Sequence, residues 1–366
     1  MRWATNIMQK KNLIVVLMAG GVGVRFWPYS RNSKPKQFLD VLGSGKTLLQ
    51  STYDRYLPIC DPENIYVVTS EEHVHLVQEQ LPALPPDQIL KEPMRKNTAP
   101  CIAYASLKIR KKSPDAVMVV SPSDHLILKE AEFTATVKKA AEQAAQEEKL
   151  ITLGIQPARP ETGYGYIQYI ENKKLIKPVK TFTEKPELAL AKKFLESGDF
   201  VWNSGIFIWS VKSILKAFDR YLPDMAEVFH EAAARFDSPD EEAAVKTVYS
   251  LVKNVSIDYG IMEKADNVFV VLGHFTWSDL GSWGALHDVL PKDAHNNVVA
   301  ADALLYETRN SIVEAPKDKL VVVQGLNGYL VGVFDNVVVV VEKDREEQFR
   351  RFVNDLRAKP NGNDYL

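Results

Sequence analysis

The chain has 366 residues, of which 46% are apolar and 25% are charged, a composition typical of a globular protein with a large core. Its net charge of -2 gives no support to binding of nucleic acid or of a membrane surface. The two cysteines, Cys60 and Cys101, are too few for a disulfide framework and favour a reducing, cytoplasmic location.

Residues 1–11 are predicted to form a loose N-terminal extension. Lys10 and Lys11 precede the apolar run 13–19, and this order imitates a short signal peptide. The run is at the lower length limit for a signal peptide, so a buried strand is the better interpretation. No segment has the roughly 20 apolar residues that a membrane span requires.

Apolar runs then alternate with helical patterns. Strands are predicted at 13–19, 64–70, 115–121 and 149–155, and helices at 47–57 and 131–148. This alternation favours an α/β fold with a mostly parallel sheet and helices on both faces. Ligands of such sheets bind at the carboxyl edge of the strands.

The pattern changes near residue 296. Residues 320–342 are β-rich, and a charged amphipathic helix is predicted at 343–357. We therefore predict a large α/β domain over 12–292 and a small β-rich domain over 293–366 that ends in this helix.

Two glycine-rich segments are candidates for binding phosphate. "GSGKT" (43–47) resembles the end of a P-loop, but Asp40 occupies the position of that motif's first glycine. A turn before a helix that starts near Thr47 explains the segment more simply.

The other segment, "MAGGVGVRFWP" (18–28), directly follows a buried strand. Backbone amides at Gly20, Gly21 and Gly23 can face an anion there. A dinucleotide fingerprint fails, because its third glycine would fall on Phe26. The segment and the residues after it contain four cations: Arg25, Arg31, Lys34 and Lys36. Glycines together with cations predict a polyphosphate site, with a simple strand-to-helix turn as the alternative.

"GGVGVRFWPYSRNSKPKQFL" (20–39) resembles the signature loop of the sugar-1-phosphate nucleotidyltransferases, and among them that of the mannose-1-phosphate guanylyltransferases. Seven further blocks match in order: "EPMRKNTAP" (92–100), "SPSDHLI" (121–127), "TGYGYIQ" (162–168), "FTEKP" (182–186), "WNSGIFIW" (202–209), "SIDYGIMEK" (256–264) and "WSDLGSW" (277–283). The resemblance implies a Rossmann-like nucleotidyltransferase catalytic domain and a C-terminal region similar to a short β-helix.

The reaction implied by this resemblance transfers GMP from GTP to mannose 1-phosphate and gives GDP-mannose and pyrophosphate. The sugar phosphate attacks the α-phosphorus in line. Because both reactants are anions, electrostatic repulsion and orientation dominate the barrier. The nucleophile is already ionised near pH 7, so no general base is required, and fixed cations together with Mg²⁺ or another divalent cation are expected to provide most of the catalysis.

Asp124 and Asp279 match the family's metal positions. Hard carboxylate oxygens suit Mg²⁺, which takes one or two of them together with phosphate oxygens. The alternatives are that Asp124 is a turn residue and that Asp279 caps a helix near Ser282. His125 is interpreted as a neighbour of Asp124 and not as a ligand.

Arg25 and Lys36 match the catalytic cations of the family and are assigned to the triphosphate. Lys185 matches the residue that holds the sugar phosphate, although a solvated lysine before Pro186 is the alternative. Gly165, Glu184 and Asn203 match sugar-binding positions, since carboxylate and amide groups bind hydroxyls. Four tryptophans are candidates for the wall of this site, with core packing as the alternative: Trp202, Trp209, Trp277 and Trp283.

For the base, Glu92 is the candidate partner of the guanine N1–H and N2–H₂ donors, with Asn97 and Thr98 nearby. An exposed loop carboxylate is the alternative for Glu92. The family commonly has arginine where this chain has Lys96, and lysine lacks the planar fork for a bidentate contact.

The resemblance also implies a homodimer through the C-terminal region, and the apolar run 337–341 favours burial. The chain ends before any phosphomannose-isomerase domain, so a single activity is expected. Two alternatives remain open. One is the same fold acting on another hexose 1-phosphate or nucleotide, and the other is a non-catalytic member that senses GDP-mannose.

Overall fold

The computed structural model describes residues 12–366, without the side chains of residues 346 and 347. The strands are β1 (Leu13–Met18), β2 (Ile65–Ser70), β3 (Ile89–Glu92), β4 (Val117–Pro122), β5 (Leu126–Ile127), β6 (Leu150–Ile155), β7 (Tyr166–Tyr169), β8 (Ile176–Thr183), β9 (Phe200–Ser210), β10 (Val268–Gly273), β11 (Trp277–Ser278), β12 (Val298–Ala300), β13 (Asp302–Tyr306), β14 (Ile312–Glu314), β15 (Leu320–Gln324), β16 (Tyr329–Phe334) and β17 (Val337–Glu342). The α-helices are α1 (Leu48–Tyr56), α2 (Val74–Gln80), α3 (Thr98–Lys112), α4 (Glu130–Gln146), α5 (Leu188–Ser197), α6 (Val211–Tyr221), α7 (Pro223–Ala233), α8 (Glu241–Leu251), α9 (Trp283–Val289) and α10 (Glu346–Ala358).

The predicted strands and helices are confirmed, each within a few residues of its predicted bounds. They correspond to β1, β2, β4, β6, α1, α4 and α10. The predicted extension, 1–11, lies outside the described residues. No helix within residues 12–366 is long and apolar enough to cross a membrane.

The chain forms two compact units. Unit 1 contains the described residues up to Gly20, Gln50–Ser123 and Ile127–Trp277. Unit 2 contains Gly21–Leu49, Asp124–Leu126 and Ser278–Leu366. Three separated segments thus build unit 2, whereas the sequence predicts one continuous C-terminal domain from residue 293. The boundary between the predicted domains 12–292 and 293–366 stays a prediction.

Unit 1 is built on a nine-stranded sheet of order β3-β2-β1-β4-β9-β6-β10-β8-β7. Strands β1 to β4 pair in parallel, as predicted, and β6 pairs in parallel with β10. However, β9 runs antiparallel to β4, β6 and β7, and β8 runs antiparallel to β7 and β10. The prediction of a mostly parallel sheet is therefore wrong for the part of the sheet formed by β6 to β10, where antiparallel pairs predominate. The sheet as a whole is mixed. A continuous apolar run predicts a buried strand but carries no mark of its direction.

Both faces of the central strands are buried. Ile14 and Val16 pack in one cluster with Ile102 of α3 and Phe218 of α6. Val15 points to the opposite face, because successive side chains alternate along a strand, and it is also fully buried. The two-sided burial leaves the ends of the strands as the place where side chains can meet a ligand.

The β-rich character predicted for the C-terminal part of the chain is confirmed in unit 2. Strands β12, β14 and β16 pair in parallel, as do β13 and β15, while β17 runs antiparallel to β16. Of the apolar run 337–341, Val337 and Val339 are buried, whereas Val338 is 73% exposed and Val340 is 53% exposed. A separate core in this unit includes Phe26, Trp283 and Phe349, so the glycine-rich loop and α10 share one hydrophobic cluster.

Candidate active site

The "GSGKT" segment uses its own carboxylate where a P-loop would hold a phosphate. The Asp40 carboxylate accepts hydrogen bonds from the amides of Ser44 (2.9 Å) and Gly45 (2.7 Å). The Lys46 side chain lies at the exposed surface. Amides that already have an anionic partner are poor donors for a second anion, so this geometry favours the turn over the P-loop.

The loop after β1 is held in a shape that only glycine tolerates at Gly23. Its φ is 68°, and a Cβ there would lie 2.8 Å from the Cβ of Lys36. Residues Val24–Phe26 form a single 3-10 turn, and Phe26 stacks on Trp283 at 5.2 Å. These contacts bring Arg25 and Lys36 to the same side of unit 2.

A cavity of ≈330 Å³ lies within unit 2. Its charged or titratable lining residues are Arg25, Lys36, Asp124, His125, Asp279 and Arg350. The sequence predicted Arg25, Lys36, Asp124 and Asp279 from three separate motif blocks. The structure brings these four together.

Lys36 lies at the centre of this group. Its side chain is 4% exposed, and Nζ lies 2.8 Å from Oδ2 of Asp124. The same Nζ donates to the backbone carbonyls of Asp279 (2.7 Å) and Leu280 (3.2 Å). A buried ammonium requires such partners, and Lys36 therefore ties the segments around Asp124 and Asp279 to the glycine-rich loop.

Asp124 remains negatively charged in this setting. Burial alone raises the pKa of a carboxyl, but the charges of Lys36 and His125 outweigh burial and hold the pKa of Asp124 below its ordinary value. Nε2 of His125 lies 3.8 Å from Oδ1 of Asp124. His125 is thus a neighbour of the carboxylate, as interpreted from the sequence.

Asp279 does not cap the next helix. Ser282 is the N-cap of α9 and accepts from the Ala285 amide. Oδ1 of Asp279 accepts from the Gly281 amide (2.8 Å), and Oδ2 lies 3.8 Å from Nη2 of Arg25. A Cβ on Gly281 would collide with Oδ2 of Asp279 and would lie 2.9 Å from Nη2 of Arg25. A larger residue at position 281 would therefore displace the Asp279 carboxylate or the Arg25 guanidinium.

Protein side chains supply only part of the ligand set that a hard divalent cation needs in this cavity. Asp124 and Asp279 supply carboxylate oxygens on one cavity. Among the described residues, no group of three or more His, Cys, Asp and Glu side chains is arranged to hold a metal. Two carboxylates suit Mg²⁺, because this ion commonly completes its shell with water and substrate phosphate.

The other glycines and cations of the loop have different surroundings. The Gly21 carbonyl accepts from Nε2 of Gln37. Gly20 belongs to unit 1 and lies beside Glu92 of the same unit. A Cβ on Gly20 would lie 3.2 Å from Oε2 of Glu92. Arg31 donates to the carbonyls of Pro28 and Phe334, so it anchors the loop and does not line the cavity.

In unit 1, Gly165, Glu184 and Lys185 adjoin one another. A Cβ on Gly165 would collide with Oε2 of Glu184. Nζ of Lys185 lies 2.5 Å from Oε1 of Glu184, and the lysine side chain is 57% exposed. Lys185 has a positive φ of 47°, a conformation that a non-glycine residue adopts at a cost. The alternative of a solvated lysine stays open.

Asn203 has a fixed amide orientation. Its Oδ1 accepts from Oγ1 of Thr152 (2.8 Å) and from the Gly205 amide (3.2 Å), and its Nδ2 donates to Oδ1 of Asp258 (2.8 Å). Both lone pairs of the carbonyl oxygen are thus used, while Nδ2 keeps one further N–H. Asn203 can therefore serve a ligand as a donor.

Asp258, on a single π-helical turn over Asp258–Met262, was not predicted from the sequence. Burial, followed by the charge of Glu184, raises the pKa of Asp258 to about 7. Asp258 lies inside the motif block "SIDYGIMEK", but the block gave no indication of its role.

Glu92 is the last residue of β3 and is only 8% exposed, which rules out the exposed-loop alternative. Oε1 accepts from the hydroxyl of Tyr249 at 2.9 Å. Burial raises the pKa of Glu92 to about 7, although the hydrogen bond from Tyr249 and the charge of Arg95 oppose this rise. Tyr249 lies on α8, where its spacing is that of an ordinary core residue, so no pattern in the sequence indicated this contact.

The side chains of Asn97 and Thr98 accept hydrogen bonds from backbone amides. Asn97 is the N-cap of α3, and its Oδ1 accepts from the Thr98 amide. Oγ1 of Thr98 accepts from the Ile257 amide at 2.8 Å. These bonds fix the start of α3, and any contact of the two residues with a nucleotide stays a prediction.

The four tryptophans divide between two environments. Trp209 and Trp283 are fully buried in the cores of unit 1 and unit 2. Trp202 and Trp277 both contact Tyr164 edge to face, at 5.2 and 5.1 Å. Because Trp202 precedes Asn203, this aromatic group adjoins the predicted sugar-binding residues.

Comparisons with known proteins agree with these motifs. The model of the nucleotidyl transferase family matches residues 14–296. A xanthan biosynthesis protein, XanB, of Xanthomonas campestris pv. campestris is 36% identical over 95% of this chain and 74% of its own length. A mannose-1-phosphate guanylyltransferase of Klebsiella pneumoniae is 36% identical over 94% of this chain and 74% of its own length.

A solved structure is also similar over nearly the whole chain. It is described as a mannose-1-phosphate geranyltransferase from Thermus thermophilus and has a TM-score of 0.85 at 33% identity. The match covers 94% of this chain and 99% of that one.

Proposed function

This chain belongs to the nucleotidyl transferase family, and on that premise we propose that it transfers GMP from GTP to mannose 1-phosphate, with GDP-mannose and pyrophosphate as products. The main support is the cavity of unit 2, where Arg25, Lys36, Asp124 and Asp279 converge. The relatives named as mannose-1-phosphate guanylyltransferases support the choice of substrates.

The cations of the cavity bind and orient the triphosphate in this proposal. Arg25 and Lys36 offset phosphate charge and hold the α-phosphorus for in-line attack. Asp124 and Asp279 would hold Mg²⁺, which when bound supplies additional positive charge to the phosphates. Lys36 also contacts the Asp124 carboxylate and the Asp279 carbonyl, so it fixes the spacing of the two aspartates.

Recognition of the sugar is assigned to unit 1. Asn203 donates its remaining N–H to a hydroxyl oxygen, and Glu184 accepts from a hydroxyl. The small Gly165 lets the ring approach the backbone, and Lys185 binds the sugar phosphate. The hydrogen bonds from Thr152 and to Asp258 support this assignment, because they leave Asn203 with a single orientation.

Recognition of the base is assigned to Glu92, with Gly20, Gly21 and Gly23 along the nucleotide and Asn97 and Thr98 near it. The carboxyl retains acceptor capacity beside its bond from Tyr249. Guanine donors favour the ionised form, so binding of GTP should draw the pKa of Glu92 below about 7.

We propose a cytoplasmic homodimer whose contact involves the C-terminal strands, which we interpret as a short β-helix. The exposed Val338 and Val340 support a covered face there. The buried Cys60 and Cys101 are compatible with a reducing compartment.

Pyrophosphate release tests the activity. The purified chain is incubated with Mg²⁺, one nucleotide (GTP, ITP, ATP or UTP) and one hexose 1-phosphate (mannose, glucose or galactose). We expect the highest kcat/KM for GTP with mannose 1-phosphate. A preference for another pair would reassign the substrates. Tight binding of GDP-mannose without turnover of any pair would identify a sensor.

A further inference from the structure

Arg350, on the C-terminal helix α10, lines the same cavity as Arg25, Lys36, Asp124 and Asp279. None of the motif blocks includes this residue, and the sequence indicates only a charged amphipathic helix around it. The cavity is thus completed by a side chain some 70 residues after the last motif block.

The position of Arg350 is set by the packing of α10. Phe349 is 1% exposed and Val353 is 4% exposed, and both belong to the core cluster of unit 2. Arg350 lies between them in sequence, so its Cα is fixed next to a buried face. Its own side chain is exposed.

Arg350 also differs from the other arginines of α10. The Arg351 guanidinium lies 3.7 Å from the carboxylate of Asp355, and that of Arg357 donates to Oδ1 of Asn354 at 3.2 Å. Arg350 makes no hydrogen bond and no ion pair with any of the side chains that the structure describes. Its guanidinium carries five N–H donors and lines the cavity, where a ligand can reach them.

The charges of the cavity indicate which ligand this is. Lys36 contacts the carboxylate of Asp124, and Arg25 lies near that of Asp279. These two cations are thus balanced by two carboxylates, and Arg350 adds one further positive charge to the lining. A guanidinium matches the geometry of phosphate oxygens.

We infer that Arg350 binds the β- and γ-phosphates of the nucleoside triphosphate, which become the leaving pyrophosphate. This inference rests on the proposed function, since that function assigns the triphosphate to Arg25 and Lys36. Negative charge accumulates on the leaving group as its bond to the α-phosphorus breaks. Arg350 then contributes both to binding and to stabilisation of that charge.

The test compares three variants in the reverse reaction, in which pyrophosphate and GDP-mannose give GTP and mannose 1-phosphate. Arg350→Gln removes the charge, Arg350→Lys keeps it, and Arg351→Gln removes the neighbouring charge on the same helix. We expect Arg350→Gln to raise KM for pyrophosphate on the order of ten- to hundredfold. KM for GDP-mannose should change less than about twofold, Arg350→Lys should recover part of the loss, and Arg351→Gln should behave as the wild type.

A structural role of Arg350 would give another pattern. If Arg350→Gln raised both KM values equally, or if Arg351→Gln had the same effect, the phosphate assignment would be wrong. Binding of inorganic pyrophosphate alone, measured by calorimetry, separates this inference from the activity. Should the wild type bind pyrophosphate but turn over no substrate pair, the proposed function fails, and a weaker affinity in Arg350→Gln would still support the anion site. Equal affinity in both proteins overturns the inference.

Discussion

The two units surround their carboxylates with different partners. In unit 1, Glu92 accepts from a tyrosine hydroxyl and Asp258 from an asparagine amide, and burial raises the pKa of each to about 7. In unit 2, Asp124 lies 2.8 Å from a lysine ammonium, and its pKa lies below the ordinary value. The hydrogen bonds from these neutral partners do not offset burial at Glu92 and Asp258, whereas the adjacent cation keeps Asp124 ionised.

This difference corresponds to two kinds of ligand chemistry. A carboxyl among neutral groups can exchange hydrogen bonds with hydroxyls and with the N–H groups of a base. A carboxylate among cations suits phosphate groups and metal ions, whose charges are large. The surroundings of Glu184 in unit 1 share features of both environments. Glu184 pairs with a cation, Lys185, but the side chain of that lysine is 57% exposed.

The largest effect is expected from the cation at the centre of unit 2. Lys36→Ala removes the partner of Asp124 and of the Asp279 carbonyl and should lower kcat/KM on the order of a hundredfold or more. Lys46→Ala, in the "GSGKT" turn, should stay within about twofold of the wild type. Steady-state kinetics of both variants, with thermal melting to confirm folding, provides the measurement. Equal losses would restore the P-loop interpretation.

Asp124 and Asp279 are expected to act as one metal site although 155 residues separate them (279 − 124). Asp124→Asn and Asp279→Asn should each raise the Mg²⁺ concentration needed for half-maximal activity and reduce turnover by about a hundredfold. The double variant should be little worse than the poorer single one, because residues acting as a unit are not additive. Titration of Mg²⁺ checks this, and losses that multiply would show that the carboxylates act independently.

Selection of the base should depend on Glu92. Glu92→Gln places an amide donor opposite a guanine N–H, a mismatch of about 1–3 kcal/mol. The ratio of kcat/KM for GTP to that for ITP, which lacks the 2-amino group, should therefore fall. Tyr249→Phe is the matched control for the neighbouring hydroxyl and should change this ratio less. An unaltered ratio in Glu92→Gln would remove Glu92 from the base site.

Asp258 should affect the sugar substrate through Asn203. Asp258→Asn keeps an acceptor for Nδ2 of Asn203 but removes a group that titrates at about 7. In the wild type, KM for mannose 1-phosphate should change with pH between pH 6 and 8. In Asp258→Asn, this change in KM should be smaller by a factor of about three to ten. KM for GTP serves as the internal control. A pH profile identical to that of the wild type would contradict a role for this carboxyl.

The smallest effect on turnover is expected at Glu314, a carboxyl of unit 2 whose pKa burial raises to about 7. A raised pKa contributes stability that is fully present below about pH 4.5 and is lost as pH rises through 7. Glu314→Gln should therefore lose less stability than the wild type between pH 5 and 8, by about 1–3 kcal/mol. Chemical denaturation at both pH values measures it, with activity within about twofold. Parallel pH curves would show that the carboxyl is already ionised at pH 5.

Individual elements of the fold were predictable because their apolar runs have strand or helix length. The order of the sheet was not predictable. Strand β9 contains the motif block 202–209, and nothing in its sequence indicates that it pairs antiparallel with β4 and β6. Pairing depends on contacts between residues far apart in sequence, such as Val119 with Ile208.

The candidate site shows the same limit. Residues inside recognisable motifs, such as Lys36 and Asp279, could be found because the motif carries them. Tyr249 and Arg350 could not, since each has the spacing of an ordinary amphipathic helix and acquires its role only through a neighbour distant in sequence. Tyr249 is 157 residues from its partner Glu92. Arg350 resembles Arg351 in sequence and differs from it only in what each side chain faces.

The assembly of unit 2 from three distant segments has a consequence for synthesis on the ribosome. Lys36 is made 243 residues before the Asp279 carbonyl that accepts from it. At about 5–20 residues per second, the nascent chain exposes the glycine-rich loop for on the order of 10–50 s before this partner exists. Parallel pairing of β1 with β2 and β4 requires only the first third of the chain. The sheet of unit 1 can therefore begin to form during translation, while the cavity that holds the cations can close only after translation has passed Asp279 and reached α10.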